Sequence, residues 1–272
     1  MLKPIPAVSR RTMLRWSSQA LLAAGFWPGA VASAAASSSA FDFLILNDLH
    51  HVAPECTTWL KKVVAQLKAH HTAEFALILG DLTDLGTQSS HQAVKRTFED
   101  LGKPFFVQIG NHDYATSTDR SAYTETHPDR LNYLFRHRGW QFVGVDTTEG
   151  QKYEKTSIQP ATLDWLDKNL RKLRRRRPTV LFTHFPLAEG VNYCPTNANT
   201  LLDKFRGFNL KAVFSGHYHA LTLRQNDQGV AFTTNRCCAR IRGNHDGSKE
   251  KGYFLCSARD GELQHRFVEM PA

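Results

Sequence analysis

The segment Gly80-Asp81-Leu82-Thr83-Asp84 directly follows the apolar run Phe75–Leu79. Four further apolar runs end in the same way, with Asp, His or Asn placed immediately after the run. Short apolar runs bounded by turn signals are typical of buried β-strands. Because the carboxyl ends of such strands meet at one edge of an α/β sheet, these five segments predict one shared site. The other four segments are Asn47-Asp48-Leu49-His50, Gly110-Asn111-His112-Asp113, Thr183-His184 and Ser215-Gly216-His217-Tyr218-His219.

Nine apolar runs follow residue 40, and the early ones alternate with amphipathic stretches. Helices are predicted over Thr57–Ala69, Gln88–Leu101 and Pro160–Leu173, where apolar residues recur every three or four positions. The later runs are joined by the short turns Asn226–Gly229 and Asp260-Gly261, which indicate antiparallel hairpins. We therefore expect an α/β fold of two packed sheets with helices outside. The predicted strands are Phe41–Leu46, Phe75–Leu79, Phe105–Ile109, Phe142–Val145, Thr179–Phe182, Ala212–Phe214, Val230–Thr233, Tyr253–Cys256 and Arg266–Val268.

The composition, with 42% hydrophobic and 22% charged residues in a chain of 272, excludes a disordered protein. The formal net charge is +9, and residues 1–40 carry four of these charges and no acid, leaving +5 for the remainder. The basic run Arg171–Arg177 is interpreted as the end of the Pro160–Leu173 helix, stopped by Pro178. A nucleic-acid or membrane patch is the alternative. We expect no stable nucleic-acid complex.

Residues 1–34 have the layout of an export signal peptide: a basic start, a short apolar stretch and small residues suited to cleavage. The pair Arg10-Arg11 resembles a twin-arginine signal, which makes the twin-arginine export machinery an expected partner. An uncleaved membrane anchor is the alternative. Residues 35–40 are interpreted as a Ser/Ala linker and residues 41–272 as one domain, periplasmic or secreted, without a membrane span in the mature chain.

The polar residues at the strand ends have the chemistry of metal ligands. Asp and His supply oxygen and nitrogen donors, which suit Mn, Fe or Zn. In Asp48-Leu49-His50, as in His217-Tyr218-His219, side chains two positions apart face the same side of an extended segment. Seven candidate ligands are too many for one ion and indicate two. They are Asp48, His50, Asp81, Asn111, His184, His217 and His219.

The ordered motifs D-x-H, G-D-x-x-D, G-N-H-D, H and G-H-x-H resemble those of the calcineurin-like metallophosphoesterase superfamily, with a length closest to its compact bacterial members. Asp81 follows Asp48 by 33 residues and precedes Asn111 by 30. The resemblance implies a four-layer αββα sandwich of two mixed β-sheets flanked by helices. It also implies a hydrolase that takes a small phosphate ester as substrate, either a phosphomonoester or a phosphodiester.

The resemblance further implies a role for each motif residue. Asp48, His50 and His219 would hold one metal ion, Asn111, His184 and His217 the other, and Asp81 would bridge them. A hydroxide shared by the two ions would be the nucleophile. His112, positioned by Asp84, would assist the leaving group. A nuclease or a cyclic-nucleotide phosphodiesterase of the same superfamily is an alternative, as is a catalytically inactive metal-binding protein.

A second Gly243-Asn244-His245-Asp246 has no apolar strand before it and is interpreted as a polar loop. Arg236 and Arg240 precede it, Arg242 adjoins it, and arginines at such a place suit phosphate oxygens. Arg236, Arg240 and Tyr218 are therefore the predicted substrate contacts. A disulfide between Cys56 and Cys194 is left open, whereas Cys237, Cys238 and Cys256 are predicted to be buried thiols. Six histidines without ligand spacing are predicted to lie at the surface: His70, His71, His91, His127, His137 and His265.

Overall fold

The computed structural model describes residues 40–271, so the predicted export signal and all but the last residue of the linker lie outside the described residues. Eleven strands and five α-helices follow one another along these residues. They are β1 (Phe41–Leu46), α1 (Pro54–Lys68), β2 (Ala73–Leu79), α2 (Gln88–Glu99), β3 (Phe105–Gln108), α3 (Ser121–Thr126), β4 (Tyr133–His137), β5 (Trp140–Gly144), α4 (Pro160–Asn169), β6 (Thr179–Phe182), α5 (Ala198–Asp203), β7 (Leu210–Ser215), β8 (Thr222–Gln225), β9 (Ala231–Thr234), β10 (Gly252–Arg259) and β11 (Glu262–Glu269).

The strands form two mixed sheets. The first has the order β11-β10-β1-β2-β3, and the second has the order β4-β5-β6-β7-β9-β8. Strands β1, β2 and β3 run parallel, as do β5, β6, β7 and β9. The turns at Asn226–Gly229 and Asp260-Gly261 join the antiparallel pairs β8–β9 and β10–β11, as the sequence predicts.

The alternation of side chains along β1 explains the layers. Phe41, Phe43 and Ile45 face the second sheet, where aromatic rings fill the space between the sheets. Leu44 and Leu46 point the other way and pack with the apolar faces of α1 and α2. Residues of α4 and α5 cover the outer face of the second sheet. The expected four-layer αββα sandwich is confirmed, and each fully buried Phe or Leu contributes about 1.5–3 kcal/mol by leaving water.

The two strands that the sequence analysis missed are both at sheet edges. Strands β4 and β8 are the two edges of the second sheet, and their polar or exposed residues hide the apolar pattern. Helix α1 begins at Pro54 and not at Thr57, which is consistent with the preference of proline for a first helical position. Helix α4 ends at Asn169, and the basic run follows in a single 3-10 turn and a loop.

The prediction that all six remaining histidines lie at the surface is wrong for two of them. His91 and His127 are buried, not at the surface, because their rings pack with Tyr123 beneath α2 and α3.

Cys56 and Cys194 are free thiols, so the disulfide left open by the sequence is absent from residues 40–271. The other three cysteines are fully buried, as predicted. Within the same residues, no helix has both the length and the apolar character needed to cross a membrane.

Candidate metal centre and substrate cleft

The five polar strand ends meet at one edge of the two sheets. Strands β1, β2 and β3 bring three of them from the first sheet, and β6 and β7 bring two from the second. Every predicted ligand residue is at most 8% exposed. The structure thus brings together all seven: Asp48, His50, Asp81, Asn111, His184, His217 and His219.

Asp48, His50, Asp81 and His219 form a first cluster, in which one potential ligand atom of each lies within 4.8 Å of the others. Nε2 of His50 is 3.2 Å from Nε2 of His219 and 3.5 Å from Oδ2 of Asp81. Oδ1 of Asp48 is 3.2 Å from the same His219 nitrogen. Two carboxylates and two imidazoles therefore converge on one point.

Asp81 also belongs to a second cluster, with His184 and His217. Nε2 of His184 is 3.3 Å from Oδ1 of Asp81, 3.2 Å from Nδ1 of His217 and 3.2 Å from Oδ1 of Asn111. Asp81 therefore turns one carboxylate oxygen to each cluster. This is the arrangement that a carboxylate bridging two ions requires.

The outward ring nitrogen of each clustered histidine contacts an oxygen acceptor. That nitrogen accordingly carries the hydrogen, and the inward nitrogen presents a lone pair to the cluster. Lone pairs about 3 Å apart repel one another unless a cation lies between them, so the donor set fits metal ions. The outward contacts are His50 Nδ1 to Asp84 Oδ1 at 2.9 Å, His184 Nδ1 to the Leu79 carbonyl at 2.8 Å, His217 Nε2 to the Tyr153 carbonyl at 2.8 Å, and His219 Nδ1 to the Gly243 carbonyl at 3.1 Å.

The electrostatics of the clusters also favour cations. Burial by itself would raise the pKa of Asp48, but the neighbouring His219 and His184 imidazoles lower it to about 2. Burial disfavours the charged form of His184, yet the Asp81 and Asp48 carboxylates raise the pKa of this imidazole to about 9, because they draw a positive charge, whether a proton or a metal ion, onto its inward nitrogen. The buried carboxylates are therefore ionised, and their negative potential attracts positive charge to this point.

The backbone at the strand ends is strained. Five of the clustered residues have a positive φ, between 47° and 64°, which is uncommon for residues with a β-carbon and costs each about 1–3 kcal/mol. Hydrogen bonds between the segments hold this conformation, among them the one from the His50 N–H to the Asp81 carbonyl at 3.0 Å. In this conformation Asp48 and His50, which are two positions apart, both place a side chain in the first cluster. The five are Asp48, His50, Asp81, His217 and His219.

Two glycines allow these segments to approach one another. A β-carbon at Gly110 would lie 2.2 Å from Oδ1 of Asp81, and one at Gly216 would lie 2.6 Å from Oδ2 of Asp48. Contacts below 3.0 Å are forbidden, so any side chain at these positions would displace a carboxylate of the clusters. Glycine is therefore required here for close packing and not for its φ angle.

Asp113, the last residue of the first G-N-H-D motif, has a structural role that the sequence analysis did not assign. Its carboxylate accepts hydrogen bonds from the backbone N–H groups of Gly110, Leu82 and Thr83 at 2.8, 3.2 and 2.9 Å. Burial and the nearby Asp81 charge raise the pKa of Asp113 to about 7. This one side chain ties the loop after β2 to the loop after β3.

His112 and Asp84 lie beside the first cluster, in an arrangement that differs from the expected one. Nδ1 of His112 contacts the backbone carbonyl of Asp84 at 3.0 Å, whereas the Asp84 carboxylate is 3.9 Å away. Oδ1 of that carboxylate instead accepts from Nδ1 of His50 and from Nε and Nη2 of Arg242, the last two at 2.9 and 2.6 Å. Asp84 is thus positioned to orient His50 through its side chain and His112 through its backbone.

Two cavities adjoin the clusters and share a wall. The first, of about 310 Å³, is named here the histidine cavity, and the second, of about 450 Å³, is named the Gln151 cavity. Both are lined by His112, Tyr153 and Arg242. The histidine cavity is further lined by His50, Asp81, Tyr193, His217, His219, Gly243, Asn244 and His245, and the Gln151 cavity by Asp84, Leu85, Asn111, Ala115 and Gln151.

The predicted substrate contacts do not line either of these two cavities. Arg236 lies over the ring of Phe267, 5.2 Å from its centroid, and Arg240 is exposed. Tyr218 lies behind Tyr193, with ring centroids 5.8 Å apart. The loop with the second G-N-H-D motif does border the cleft, and the arginine that it contributes there is Arg242. The short spacing of these arginines in the sequence does not reveal which one faces the cleft.

A family model described as calcineurin-like phosphoesterase matches residues 41–221, about two thirds of the chain. The chain belongs to the calcineurin-like phosphoesterase family. A solved structure of similar fold, a dimetal phosphatase from Danio rerio, superposes with a TM-score of 0.59 over 85% of this chain and 99% of its own, at 13% identity. At that identity the likeness shows the fold alone.

Curated relatives of this calcineurin-like phosphoesterase share about a quarter of its residues over the aligned segments. A probable cyclic nucleotide phosphodiesterase of Rhodococcus erythropolis is 27% identical over 263 residues, which covers 85% of this chain and 84% of the relative. A probable glycerophosphodiester phosphodiesterase of Arcobacter nitrofigilis is 27% identical over 124 residues, covering 44% of this chain and 45% of the relative. The chain spans about half the length of this and similar curated relatives.

Proposed function

We propose that this calcineurin-like phosphoesterase is a metal-dependent hydrolase of phosphate esters with a dinuclear centre. The observation that carries the proposal is the position of Asp81, which offers one carboxylate oxygen to each of two histidine clusters. A site that held a single ion would not need two converging donor sets 3–4 Å from one shared carboxylate.

In this proposal Asp48, His50 and His219 hold one ion, and Asn111, His184 and His217 hold the other. Asp81 contributes to both. Nitrogen and oxygen donors of this kind suit Mn, Fe or Zn, and supply in the cell selects among them. Bound ions would supply Lewis-acid chemistry, polarising the phosphoryl group and making water more acidic.

His112 is the proposed proton donor to the leaving oxygen. Its Nδ1 is held by the Asp84 carbonyl, so its Nε2 is the nitrogen available to the cleft, and its side chain remains 32% exposed. The buried ligand histidines have no such access. A positioned imidazole that transfers a proton in the transition state contributes roughly 10²–10⁴-fold to the rate.

The test compares purified wild-type protein with Asp81→Asn and His112→Asn. We expect two bound ions in the wild type by elemental analysis and hydrolysis of p-nitrophenyl or bis(p-nitrophenyl) phosphate. Asp81→Asn should lose bound metal as well as activity, whereas His112→Asn should keep both ions and lose roughly 10²-fold or more in kcat. Asp227→Asn and His71→Asn, at exposed positions, are the matched controls. Full activity in Asp81→Asn contradicts the proposal.

Phosphodiesters are the proposed substrate class, supported by the names of the curated relatives. Two alternatives are separated by simple measurements. A nuclease would bind and cut DNA with a salt-dependent affinity. A catalytically inactive metal-binding protein would hold two ions and hydrolyse no ester. The proposed site of action is the periplasm or the exterior of the cell, on the strength of the Arg10-Arg11 signal in residues 1–34.

A further inference from the structure

The second G-N-H-D segment, Gly243–Asp246, makes three contacts with His219, one of the proposed ligands. The Gly243 carbonyl accepts from Nδ1 of His219 at 3.1 Å, and the backbone N–H of His245 donates to the His219 carbonyl at 3.0 Å. The ring of His245 stacks on that of His219, with centroids 5.1 Å apart and planes 29° apart. The segment is therefore part of the wall of the cleft and not a free surface loop.

Asn244 fixes the shape of this segment. Its Oδ1 accepts from the backbone N–H of Cys237 at 3.0 Å, and its Nδ2 donates to the carbonyls of Ser248 and Glu250 at 3.2 and 2.8 Å. These bonds close the loop on itself. The residue just before the segment, Arg242, is thereby held at the cleft, and its guanidinium meets Oδ1 of Asp84.

Arg242 lies in the wall that the two cavities share. It is the one Arg or Lys among the residues that line either of them. Its Nε and Nη2 donate to Asp84, and within residues 40–271 Nη1 has no hydrogen-bond partner. The Asp84–Arg242 pair thus offers a hydrogen-bond donor to the cleft while its own charge is balanced.

We propose that Arg242 binds a phosphoryl oxygen of a phosphodiester whose two organic groups occupy the histidine cavity and the Gln151 cavity. This inference rests on the proposed function and names the residue and the two cavities that would bind its phosphodiester substrate. The two cavities meet at Arg242, His112 and Tyr153, next to both clusters, so a phosphorus atom placed there has room for an organic group on each side. A monoester would fill one cavity only.

The charge of the Asp84–Arg242 pair is balanced. A phosphodiester carries one negative charge and a phosphomonoester at neutral pH carries close to two. Because the Asp84 carboxylate balances the charge of Arg242, the pair contributes a hydrogen-bond donor and little net positive charge, so the choice between the two classes of ester rests on the two cavities. The aromatic side chains of Tyr153, Tyr193 and His245 line the histidine cavity, and such rings stack on flat organic groups.

The test measures binding to the metal-loaded protein by calorimetry, with two probes that cannot be hydrolysed. Diphenylphosphinate carries two phenyl groups and one charge, and phenylphosphonate carries one phenyl group and imitates a monoester. We expect tighter binding of diphenylphosphinate. Arg242→Ala should weaken it roughly 10- to 100-fold, the loss typical of a charge-assisted hydrogen bond, without changing the metal content. Arg242→Lys should retain part of the affinity. Lys249→Ala, which removes a charge from the same loop, is the control.

The outcomes separate this inference from the proposed function. Equal binding of diphenylphosphinate to Arg242→Ala and wild type, with two ions bound and esters hydrolysed, overturns the role of Arg242 and leaves the hydrolase intact. Tighter binding of phenylphosphonate, or no binding of diphenylphosphinate to the wild type, overturns the assignment of a diester. Absence of metal and of ester hydrolysis in the wild type instead contradicts the proposed function.

Discussion

Nδ1 of His50 donates a hydrogen bond to Oδ1 of Asp84 at 2.9 Å, and this contact orients the opposite ring nitrogen towards the first cluster. Carboxylates that hold a ligand histidine in this way set its tautomer and its ring plane. The second Asp of the G-D-x-x-D motif therefore acts on a proposed metal ligand through its side chain, in addition to its backbone contact with His112.

The first prediction follows from this contact. In Asp84→Asn the ring of His50 loses its anionic partner, so we expect metal affinity to fall roughly 10- to 100-fold, as for other carboxylates that accept a hydrogen bond from a metal-binding histidine. Competition with a chelator, followed by elemental analysis, measures the change. Asp164→Asn, at an exposed position of α4, should leave the affinity unchanged. Unchanged affinity in Asp84→Asn would show that the hydrogen bond has no role in metal binding.

The two G-N-H-D copies should respond differently to the same substitution. In Gly110→Ala the added methyl group would meet Asp81 at 2.2 Å, whereas in Gly243→Ala it would meet nothing within 4 Å. We expect Gly110→Ala to lose bound metal and to lower the free energy of unfolding by about 1–3 kcal/mol, the usual effect of overpacking. Gly243→Ala should keep both values. Chemical denaturation and metal analysis of the two variants provide the comparison, and similar losses in both would contradict the steric role of Gly110.

Acid should destabilise the fold through His91. Burial lowers the pKa of this imidazole to about 4, from an ordinary value of 6.5. Between these two values the unfolded chain binds a proton that the folded protein does not. The free energy of unfolding therefore falls as the pH decreases from about 6.5 to about 4, by an amount on the order of 3 kcal/mol from this residue.

Urea unfolding at a series of pH values checks this expectation. The variant His91→Gln cannot take up the proton, so its unfolding free energy should depend less on pH over that range than that of the wild type. His71→Gln, at an exposed position, is the control and should follow the wild type. Identical slopes for wild type and His91→Gln would contradict the buried, neutral state of His91.

Export through the twin-arginine route predicts a defined processing pattern. Replacing Arg10 and Arg11 together by Lys should leave the precursor uncut inside the cell, because the paired arginines are the recognised feature of such signals. Cell fractionation and the mass of the exported form measure the outcome. Processing that is unaffected by the double substitution would rule out this route, and an uncut exported form would support the membrane-anchor alternative.

The local pattern of apolar and polar residues is enough to predict the strands that carry the site. Phe41–Leu46 and Thr179–Phe182 were predicted to the residue, because buried strands need an uninterrupted apolar run and the polar ligands mark where the run stops. The seven candidate ligands could be named for the same reason: the strand-end position and the residue type are both local features. Edge strands such as β8 could not be found, because a strand that faces water on one side carries no comparable pattern.

The residues around the candidate ligands can be identified only from the packing of the whole fold. Arg242 is 158 positions from Asp84 in sequence, and nothing in either local pattern indicates that they meet. The same reason explains why His91 is buried and why the two G-N-H-D motifs have different surroundings. The elements packed against a residue, and not its local sequence, set its environment. The residue types and the spacing of a motif can be recognised in the local sequence. The cleft beside the motif is formed by loops, and the positions of these loops depend on the packing of the whole sandwich.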